Sequence, residues 1–222
     1  MMTTLPRLLA LSLAVALPAP VFAAQTYALV VGVDQYPNDV SLDGAVRDAE
    51  DVYRSMSAAG FTPTKFTNEQ ARKDDIRKAW TDMVAQAAAG DTIIFTYAGH
   101  GAQMPELVAG DEADGLDEFL QLPGFDRNRH EETSNEIIVD NEMNAWFAEA
   151  EGKGVHVLFV SDSCFSGGMS RSIKGKSRLA PAVKVKLAPP SQEAIAGANL
   201  KEISFKQVTV LAASLESQPT PE

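Results

Sequence analysis

Residues 92–101 read TIIFTYAGHG, and residues 155–168 read VHVLFVSDSCFSGG. Each stretch opens with a continuous apolar run, which is typical of a strand buried on both faces, as in a parallel sheet. Each run ends in small residues that carry one reactive side chain, the imidazole of His100 or the thiol of Cys164. Because open α/β sheets place their sites at the carboxyl ends of their strands, we expect this Cys/His pair to meet there as a thiol nucleophile and its base.

The first half of the chain alternates between predicted strands and predicted helices. Continuous apolar runs predict the strands, and apolar residues at helical spacing predict the helices, with Asp43 as the cap of the first helix. The order β-α-β-α-β predicts a doubly wound α/β fold, in which a mostly parallel sheet is flanked by helices on both faces. The predicted strands lie within residues 27–33, 61–67 and 92–97, and the predicted helices are residues 43–59 and 73–88.

The second half is less regular. Residues 102–135 are acidic and are predicted to form a loop, whereas residues 137–141 predict a short strand or the entry to a helix that Asp140 caps. Residues 207–213 read QVTVLAA, which predicts another buried strand. No helical pattern follows that strand, so we expect either that the sheet is short at this edge or that the chain is truncated relative to a complete domain.

The composition excludes some classes of partner. The 222 residues carry a formal net charge of -11 and are 45% hydrophobic, which is enough for one sizeable domain with a core. An acidic surface repels nucleic acid and anionic membranes and attracts basic partners, so no nucleic-acid partner is expected. One Cys and three His residues cannot build a zinc site of the usual four-ligand kind.

The N-terminus has the pattern of a secretory signal peptide. An apolar run at residues 8–17, too short to span a bilayer, is followed by a Val-Phe-Ala cleavage site. We predict a signal peptide at residues 1–23, one domain over residues 25–222, and an exported protein, periplasmic or secreted, that has no membrane contact after cleavage. An uncleaved N-terminal anchor is the alternative. In an oxidising compartment a single Cys cannot form an internal disulfide, so we expect Cys164 to have a chemical use.

Two segments differ in charge from their surroundings. Residues 169–200 show no periodicity, and their composition predicts a basic, mobile, protease-accessible linker within the domain, with a plain surface linker as the alternative. Residues 110–118 read GDEADGLDE, which predicts either a solvated loop or a site for a hard cation, because Ca²⁺ prefers carboxylate and carbonyl oxygens. The basic residues of the linker are Arg171, Lys174, Lys176, Arg178, Lys184 and Lys186.

These motifs resemble those of metacaspases, cysteine peptidases of the caspase-like clan. YAGHG at residues 97–101 resembles the catalytic His motif of that family, and DSCFSG at residues 162–167 resembles its catalytic Cys motif. The first predicted strand, followed by LDGAVRDA at residues 42–49, resembles the opening of the family. The acidic run and the sequence AAS at residues 212–214 also fit.

The resemblance covers about residues 27–222 and has two departures. Metacaspases usually have Ser at the position of Ala98 and His at the position of Phe165. The Gln-Ala pair that precedes the nucleophile in caspases is absent, so the resemblance does not imply cleavage after aspartate.

The resemblance implies a cysteine endopeptidase with a catalytic dyad. His100 would act as the base that activates the Cys164 thiol and then as the acid that protonates the leaving amine. The backbone N–H groups of Gly101 and Cys164 would form the oxyanion hole. The family places an acidic wall of the specificity pocket at Asp48, and Asp162 closes an apolar strand just before the nucleophile. Together these carboxylates predict peptide or protein substrates with Arg or Lys at the cleaved bond.

The resemblance also bears on cofactors and on processing. No cofactor is expected to be required, and Ca²⁺ is expected as an activator bound by Asp114, Asp117 and Asp140. The basic linker is the expected site of self-processing. Two alternatives stay open, namely a catalytically inactive caspase-like binding or regulatory module, and a thiol hydrolase that acts on non-peptide amides or esters.

Overall fold

The computed structural model describes residues 23–108, 115–163 and 205–212 of the chain. Several predictions concern other parts of the sequence. The signal peptide except its last residue, Asp114, Cys164 and the basic linker all lie outside the described residues. Within the described residues, no helix is long and apolar enough to cross a membrane.

Eight strands and four α-helices are present in the described part of the chain, and their alternation in the first half follows the prediction. The strands are β1 (Thr26–Gly32), β2 (Thr64–Thr67), β3 (Thr92–Ala98), β4 (Gly101–Pro105), β5 (Leu116–Gln121), β6 (Ile137–Val139), β7 (His156–Asp162) and β8 (Val208–Ala212). The helices are α1 (Ala45–Ala58), α2 (Lys73–Gln86), α3 (His130–Thr133) and α4 (Asp140–Gly152).

Five strands form one parallel sheet in the order β2-β1-β3-β7-β8. β3 is the central strand, and its last residue, Ala98, pairs with Gly32 of β1 on one side and with Asp162 of β7 on the other. These three strands therefore end level with one another, at the same edge of the sheet. The predicted doubly wound architecture with a mostly parallel sheet is confirmed.

Helices cover both faces of this sheet. Neighbouring residues of β3 point to opposite faces. Phe95 packs against Trp80 of α2, with ring centroids 6.3 Å apart, whereas Thr96 lines a cavity beside α1. Gly32 lets α1 approach β1 closely, because a Cβ at that position would lie 2.5 Å from the Cβ of Ala49. The main hydrophobic core lies largely on the side of α2 and α4.

A second, antiparallel sheet shows that the prediction of a loop at residues 102–135 is wrong. β5 is its middle strand, with β4 on one side and β6 on the other. Its buried side chains Ala102, Met104 and Phe119 pack with Phe125 in a small core of their own. The sequence conceals these strands because charged and polar residues alternate with the few apolar ones.

The starts of two helices also differ from the prediction. The N-cap of α1 is Gly44 rather than Asp43. The carboxylate of Asp34, in the loop after β1, instead accepts a hydrogen bond of 2.8 Å from the first backbone N–H of the helix. Asp140 is the first residue of α4, and Val139 is its N-cap. A cap supplied from a distant loop position depends on how the loop folds back, which sequence spacing does not reveal.

β8 forms where the sequence predicts a strand, but the prediction that it is buried is wrong. Val210 and Leu211 are 57% and 54% exposed. The reason is its place at the edge of the sheet, where β7 is its only neighbour among the described strands.

Candidate active site

His100 lies two residues beyond the end of β3, at the carboxyl edge of the parallel sheet, and is only 1% exposed. Its ring Nε2 lies 2.7 Å from the carbonyl oxygen of Val40, in the loop between β1 and α1. Because a carbonyl oxygen can only accept a hydrogen bond, Nε2 carries the proton of the neutral ring, and Nδ1 then has the lone pair. The contact therefore selects the tautomer of a base that acts through Nδ1.

Cys164 lies two residues beyond the end of β7, directly after the last described residue of that segment. That strand ends at Asp162, which pairs in register with Ala98 of β3. Ser163, the residue before the thiol, is fully buried. The chain thus reaches Cys164 along the strand next to the one that leads to His100. The contact between thiol and imidazole itself stays a prediction, because the nucleophile lies outside the described residues.

Asp48 and Asp162, the two predicted substrate-binding residues, line the same cavity, which has a volume of about 150 Å³. The cavity lies between α1 and the carboxyl ends of β1, β3 and β7, and both acidic residues are half-buried. Apart from these carboxylates and the hydroxyl of Thr96, the lining is apolar, because the hydroxyl of Tyr97 is bonded instead to the backbone carbonyls of His100 and Gln121. The lining residues are Val31, Asp48, Ala49, Val52, Thr96, Tyr97, Ala98, Val160 and Asp162.

The chemistry of this cavity suits one long side chain that ends in a cation. Its volume is smaller than that of pockets for drug-sized ligands, so it has room for a single side chain. Apolar walls can pack against a methylene stem, and two carboxylates can pair with the charged head. Ala98 presents a methyl group where metacaspases usually have a serine hydroxyl, and Thr96 supplies a hydroxyl on the same face of β3.

Gly101 opens β4, where it pairs with Leu120 of β5. The carbonyl of His100 accepts a hydrogen bond of 2.9 Å from the N–H of Gln121, at the end of β5. The β4–β5 pair thus secures the chain immediately after the imidazole. The assignment of the Gly101 and Cys164 N–H groups to an oxyanion hole stays a prediction.

Two of the three predicted metal ligands, Asp117 and Asp140, lie close together, Asp117 on β5 and Asp140 at the start of α4. Asp117 is fully buried on β5 and accepts a hydrogen bond of 2.8 Å from the N–H of Leu107. Asp140 accepts hydrogen bonds from the N–H groups of Glu118 and Asn141, at 3.1 and 2.7 Å. Burial and the neighbouring charge of Asp117 raise the pKa of the Asp140 carboxyl to about 9.

The described residues include two of the three predicted metal ligands. No group of three or more His, Cys, Asp or Glu side chains that could hold a metal ion occurs in the described ranges. Asp114, the third predicted ligand, lies outside them. The oxygen chemistry of the Asp117 and Asp140 pair fits Ca²⁺, a hard cation, because an ion between the two carboxylates would stabilise the ionised form of both.

Sequence reasoning missed the loop between β1 and α1, which contacts the imidazole. Tyr36 in this loop is buried against His100, with ring centroids 4.4 Å apart, and Val40 supplies the carbonyl described above. The only signal was one aromatic residue, Tyr36, in the predicted loop. Thr96 was missed as well, although a hydroxyl within an apolar strand could have suggested a polar contact.

The Caspase domain family matches residues 25–214 of this chain. Among curated proteins, the chain is similar to Metacaspase-1 of Pyricularia oryzae, with 30% identity over 150 residues. It is also similar to Metacaspase-1 of Coccidioides immitis, with 30% identity, and to Metacaspase-1A of Aspergillus clavatus, with 29% identity. Each of these three alignments covers 63% of this chain.

The curated relatives are much longer than the part they share with this chain. The alignments span 36%, 33% and 31% of the Pyricularia, Aspergillus and Coccidioides proteins, respectively. Among solved structures, the fold is similar to that of protein GSU0716 from Geobacter sulfurreducens, with a TM-score of 0.56 and 24% sequence identity. That comparison covers 87% of this chain and 70% of the other, and it supports the fold alone.

The raised pKa of Asp140 predicts how stability depends on pH in the absence of a divalent cation. The folded-state pKa of about 9 lies above the value of about 3.9 for an exposed Asp, so at intermediate pH the folded protein binds a proton that the unfolded chain releases. Stability should therefore fall as pH rises between these two values. Asp140→Asn keeps a neutral side chain and should lose less stability between pH 5 and pH 8 than the original protein.

Thermal unfolding in a buffer that contains a chelator measures this difference. Asp82→Asn is the matched control, because Asp82 is an exposed residue of α2 that pairs with Lys78. The control should follow the original protein at both pH values. An Asp140→Asn protein that shows the same change in midpoint temperature as the control would contradict the assignment.

Proposed function

This chain belongs to the caspase-domain family, and we propose that it is a cysteine endopeptidase that cleaves peptide bonds after Arg or Lys. The observation that carries the proposal is the cavity shared by Asp48 and Asp162. It opens at the same sheet edge as His100, and Asp162 stands two residues before Cys164. A basic side chain held there brings its own carbonyl group to the region where nucleophile and base are expected.

The proposed reaction is a two-step acyl transfer. Nδ1 of His100 accepts the proton of the Cys164 thiol, and the sulfur attacks the carbonyl carbon of the scissile bond. The backbone N–H groups of Gly101 and Cys164 stabilise the negative charge on the carbonyl oxygen. The imidazolium then protonates the leaving amine, and water releases the acyl group from the sulfur while the imidazole again acts as the base.

Specificity follows from the electrostatics of the cavity. Two carboxylates in a half-buried cavity repel each other, and a cationic side chain relieves this repulsion. A guanidinium group can bind carboxylates through parallel hydrogen bonds, whereas an ammonium group acts as a point charge. The proposal therefore includes Arg and Lys as substrates and excludes Asp, whose carboxylate would add a third negative charge.

A panel of fluorogenic peptides that end in Arg, Lys or Asp tests this specificity. We expect turnover of the Arg and Lys peptides, none of the Asp peptide, and none by Cys164→Ala. Asp162→Asn should lower kcat/KM for the Arg peptide by roughly thirty- to several-thousand-fold, because removal of a buried charge partner costs about 2–5 kcal/mol.

Asp51→Asn is the matched control for that substitution, because Asp51 is an exposed residue of α1 that pairs with Arg54. It should retain the original activity. Efficient cleavage after Asp with none after Arg would refute the proposed specificity, and full activity in Cys164→Ala would refute the proposed nucleophile.

We also propose that Ca²⁺ activates the enzyme by binding at Asp117 and Asp140, with Asp114 as a further ligand. The support is the burial of Asp140 beside the charge of Asp117, which raises the pKa of Asp140 and which a divalent cation would compensate. We expect millimolar Ca²⁺ to raise peptidase activity, a chelator to abolish the increase, and Asp117→Asn to weaken Ca²⁺ binding measured by calorimetry. Activity that responds neither to chelator nor to millimolar Ca²⁺ would remove the idea.

Self-processing in the basic linker is the third part of the proposal. β7 ends at Asp162, at the catalytic edge, and its parallel neighbour β8 begins at Val208. The connection between them must therefore start at the active-site edge and return to the opposite edge of the sheet. It begins beside the nucleophile and carries the basic side chains that the cavity should prefer, so its effective concentration at the site is high.

Incubation of the purified protein followed by mass mapping of its fragments tests self-processing. We expect cuts after one or more of the six basic residues of the linker, and an intact chain in Cys164→Ala. An active protein that stays uncut would show that processing is not required. Cuts that persist in Cys164→Ala would show that another protease makes them.

A further inference from the structure

Two tyrosine hydroxyls hold the backbone of His100 from both sides. The hydroxyl oxygen of Tyr36 accepts a hydrogen bond of 2.8 Å from the N–H of His100. The hydroxyl of Tyr97, on β3, donates a hydrogen bond of 2.8 Å to the carbonyl oxygen of the same residue. Tyr36 is 3% exposed and Tyr97 is 1% exposed, so water does not compete for these contacts.

The directions of these hydrogen bonds are fixed by the chemistry of the groups. The N–H of His100 can only donate, which leaves the proton of Tyr36 available for the hydroxyl oxygen of Tyr97, at 3.4 Å. The carbonyls of His100 and Gln121 can only accept, and both lie within 2.8 Å of the Tyr97 hydroxyl, so they share its single proton. Burial raises the pKa of Tyr36, so its hydroxyl keeps this proton at neutral pH.

Gly99 makes this arrangement sterically possible. A Cβ at this position would lie 2.6 Å from the hydroxyl oxygen of Tyr97 and 2.7 Å from that of Tyr36. Both distances are shorter than a carbon atom and a hydroxyl oxygen can adopt. The glycine before the imidazole thus lets both phenols reach the backbone at the same time.

The loop at residues 34–42 adds two contacts with the imidazole ring itself. The ring of Tyr36 lies 4.4 Å from that of His100 at an interplanar angle of 44°, and Val40 accepts the Nε2 hydrogen bond. One short loop therefore contacts His100 at three places: its backbone N–H, the face of its ring and the ring nitrogen Nε2. Rotation about either side-chain torsion would break at least one of these contacts.

The loop is itself fixed at both ends. Asn68 accepts hydrogen bonds from the N–H groups of Asp34 and Gln35, at 2.9 and 3.0 Å. Further along, the carboxylate of Asp39 forms an ion pair of 2.9 Å with Arg127. Because both anchors lie on other parts of the fold, the loop can act as a rigid support for the imidazole.

We propose that Tyr36 and Tyr97 are positioning residues whose hydroxyls hold His100 in the orientation that deprotonates Cys164. This inference rests on the proposed function, because it takes the imidazole as the base. Their hydroxyls bond to the backbone of His100 and lie 3.4 Å from each other, so we expect the tyrosines to act through the histidine. Their hydroxyls should therefore affect the chemical step and leave substrate binding largely unchanged.

The test compares Tyr36→Phe and Tyr97→Phe with the original protein on a peptide that ends in Arg. Each substitution keeps the ring and removes one hydroxyl. We expect kcat to fall by about ten- to a hundredfold, because small displacements of a catalytic group have effects of this size, while KM changes by less than about twofold. The double variant should fall little further than the more severe single variant, because both hydroxyls hold the same residue.

Alkylation of Cys164 by iodoacetamide gives a second readout that does not depend on turnover. Cys164 is the only thiol in the chain, so the rate reports on it alone. At neutral pH the variants should react more slowly than the original protein, and near pH 10, where a thiol ionises without help, the rates should converge. A general loosening of the fold would instead change the rate at every pH, with no convergence near pH 10.

Three controls keep the outcomes distinct. Tyr53→Phe makes the same change on α1, where the ring lies under the ammonium of Lys65, and should retain full activity. Gly99→Ala adds a Cβ that would clash with both hydroxyls, so it should lower kcat as the Phe variants do. It serves as a second variant if a Phe variant fails to fold. His100→Ala tests the base itself.

The results separate this inference from the proposed function. Activity in His100→Ala would refute the base and hence the proposed dyad. An inactive His100→Ala protein together with Phe variants whose kcat stays within twofold of the original would refute the positioning role alone. A change confined to KM or to the unfolding temperature, or faster alkylation at neutral pH, would also refute it.

Discussion

The parallel pairing of β3 with β1 and β7 is the constraint on which the rest of the structure depends. The three strands end level at Gly32, Ala98 and Asp162. That common edge decides where the imidazole after β3 and the chain before the thiol emerge. It also sets the floor of the acidic cavity, since residues from all three strands line it. A shift of one residue in either pairing would turn Asp162 or Thr96 to the opposite face and so dismantle the cavity.

The loop between β1 and α1 serves two parts of the site at once. At its start, Asp34 holds the first backbone N–H of α1, the helix that brings Asp48 to the cavity. In its middle, Tyr36 and Val40 hold His100. Because one short segment contacts both the helix and the imidazole, the acidic cavity and the imidazole are held in a fixed position relative to each other. Because the site is ordered before the substrate binds, no binding energy is needed to order it.

Two pairs of acidic side chains lie in different environments in this protein. Asp48 and Asp162 are half-buried beside apolar walls, where a cationic side chain can reach them. Asp117, on β5 of the second sheet, lies near Asp140 at the start of α4, and burial together with mutual repulsion favours the protonated form of Asp140. In the proposed function, the first pair binds the basic side chain of the substrate and the second pair binds Ca²⁺. The net charge of the chain alone would not distinguish these two uses.

The sequence by itself determined the alternation of strands and helices, the parallel sheet and the positions of His100 and Asp162 near its carboxyl edge, whereas only the resemblance to metacaspases assigned Asp48 to the pocket. These features depend on local apolar patterns and on motifs that are contiguous in the chain. Only the tertiary structure decided that residues 102–135 contain two strands of a second sheet, that Asp34 caps α1, and that β8 is exposed. Only the tertiary structure, likewise, showed the contacts of Tyr36 and Val40 with the imidazole. Such contacts join residues more than fifty positions apart through single hydroxyls and carbonyls, and a pairing of that kind leaves no periodic trace in the sequence.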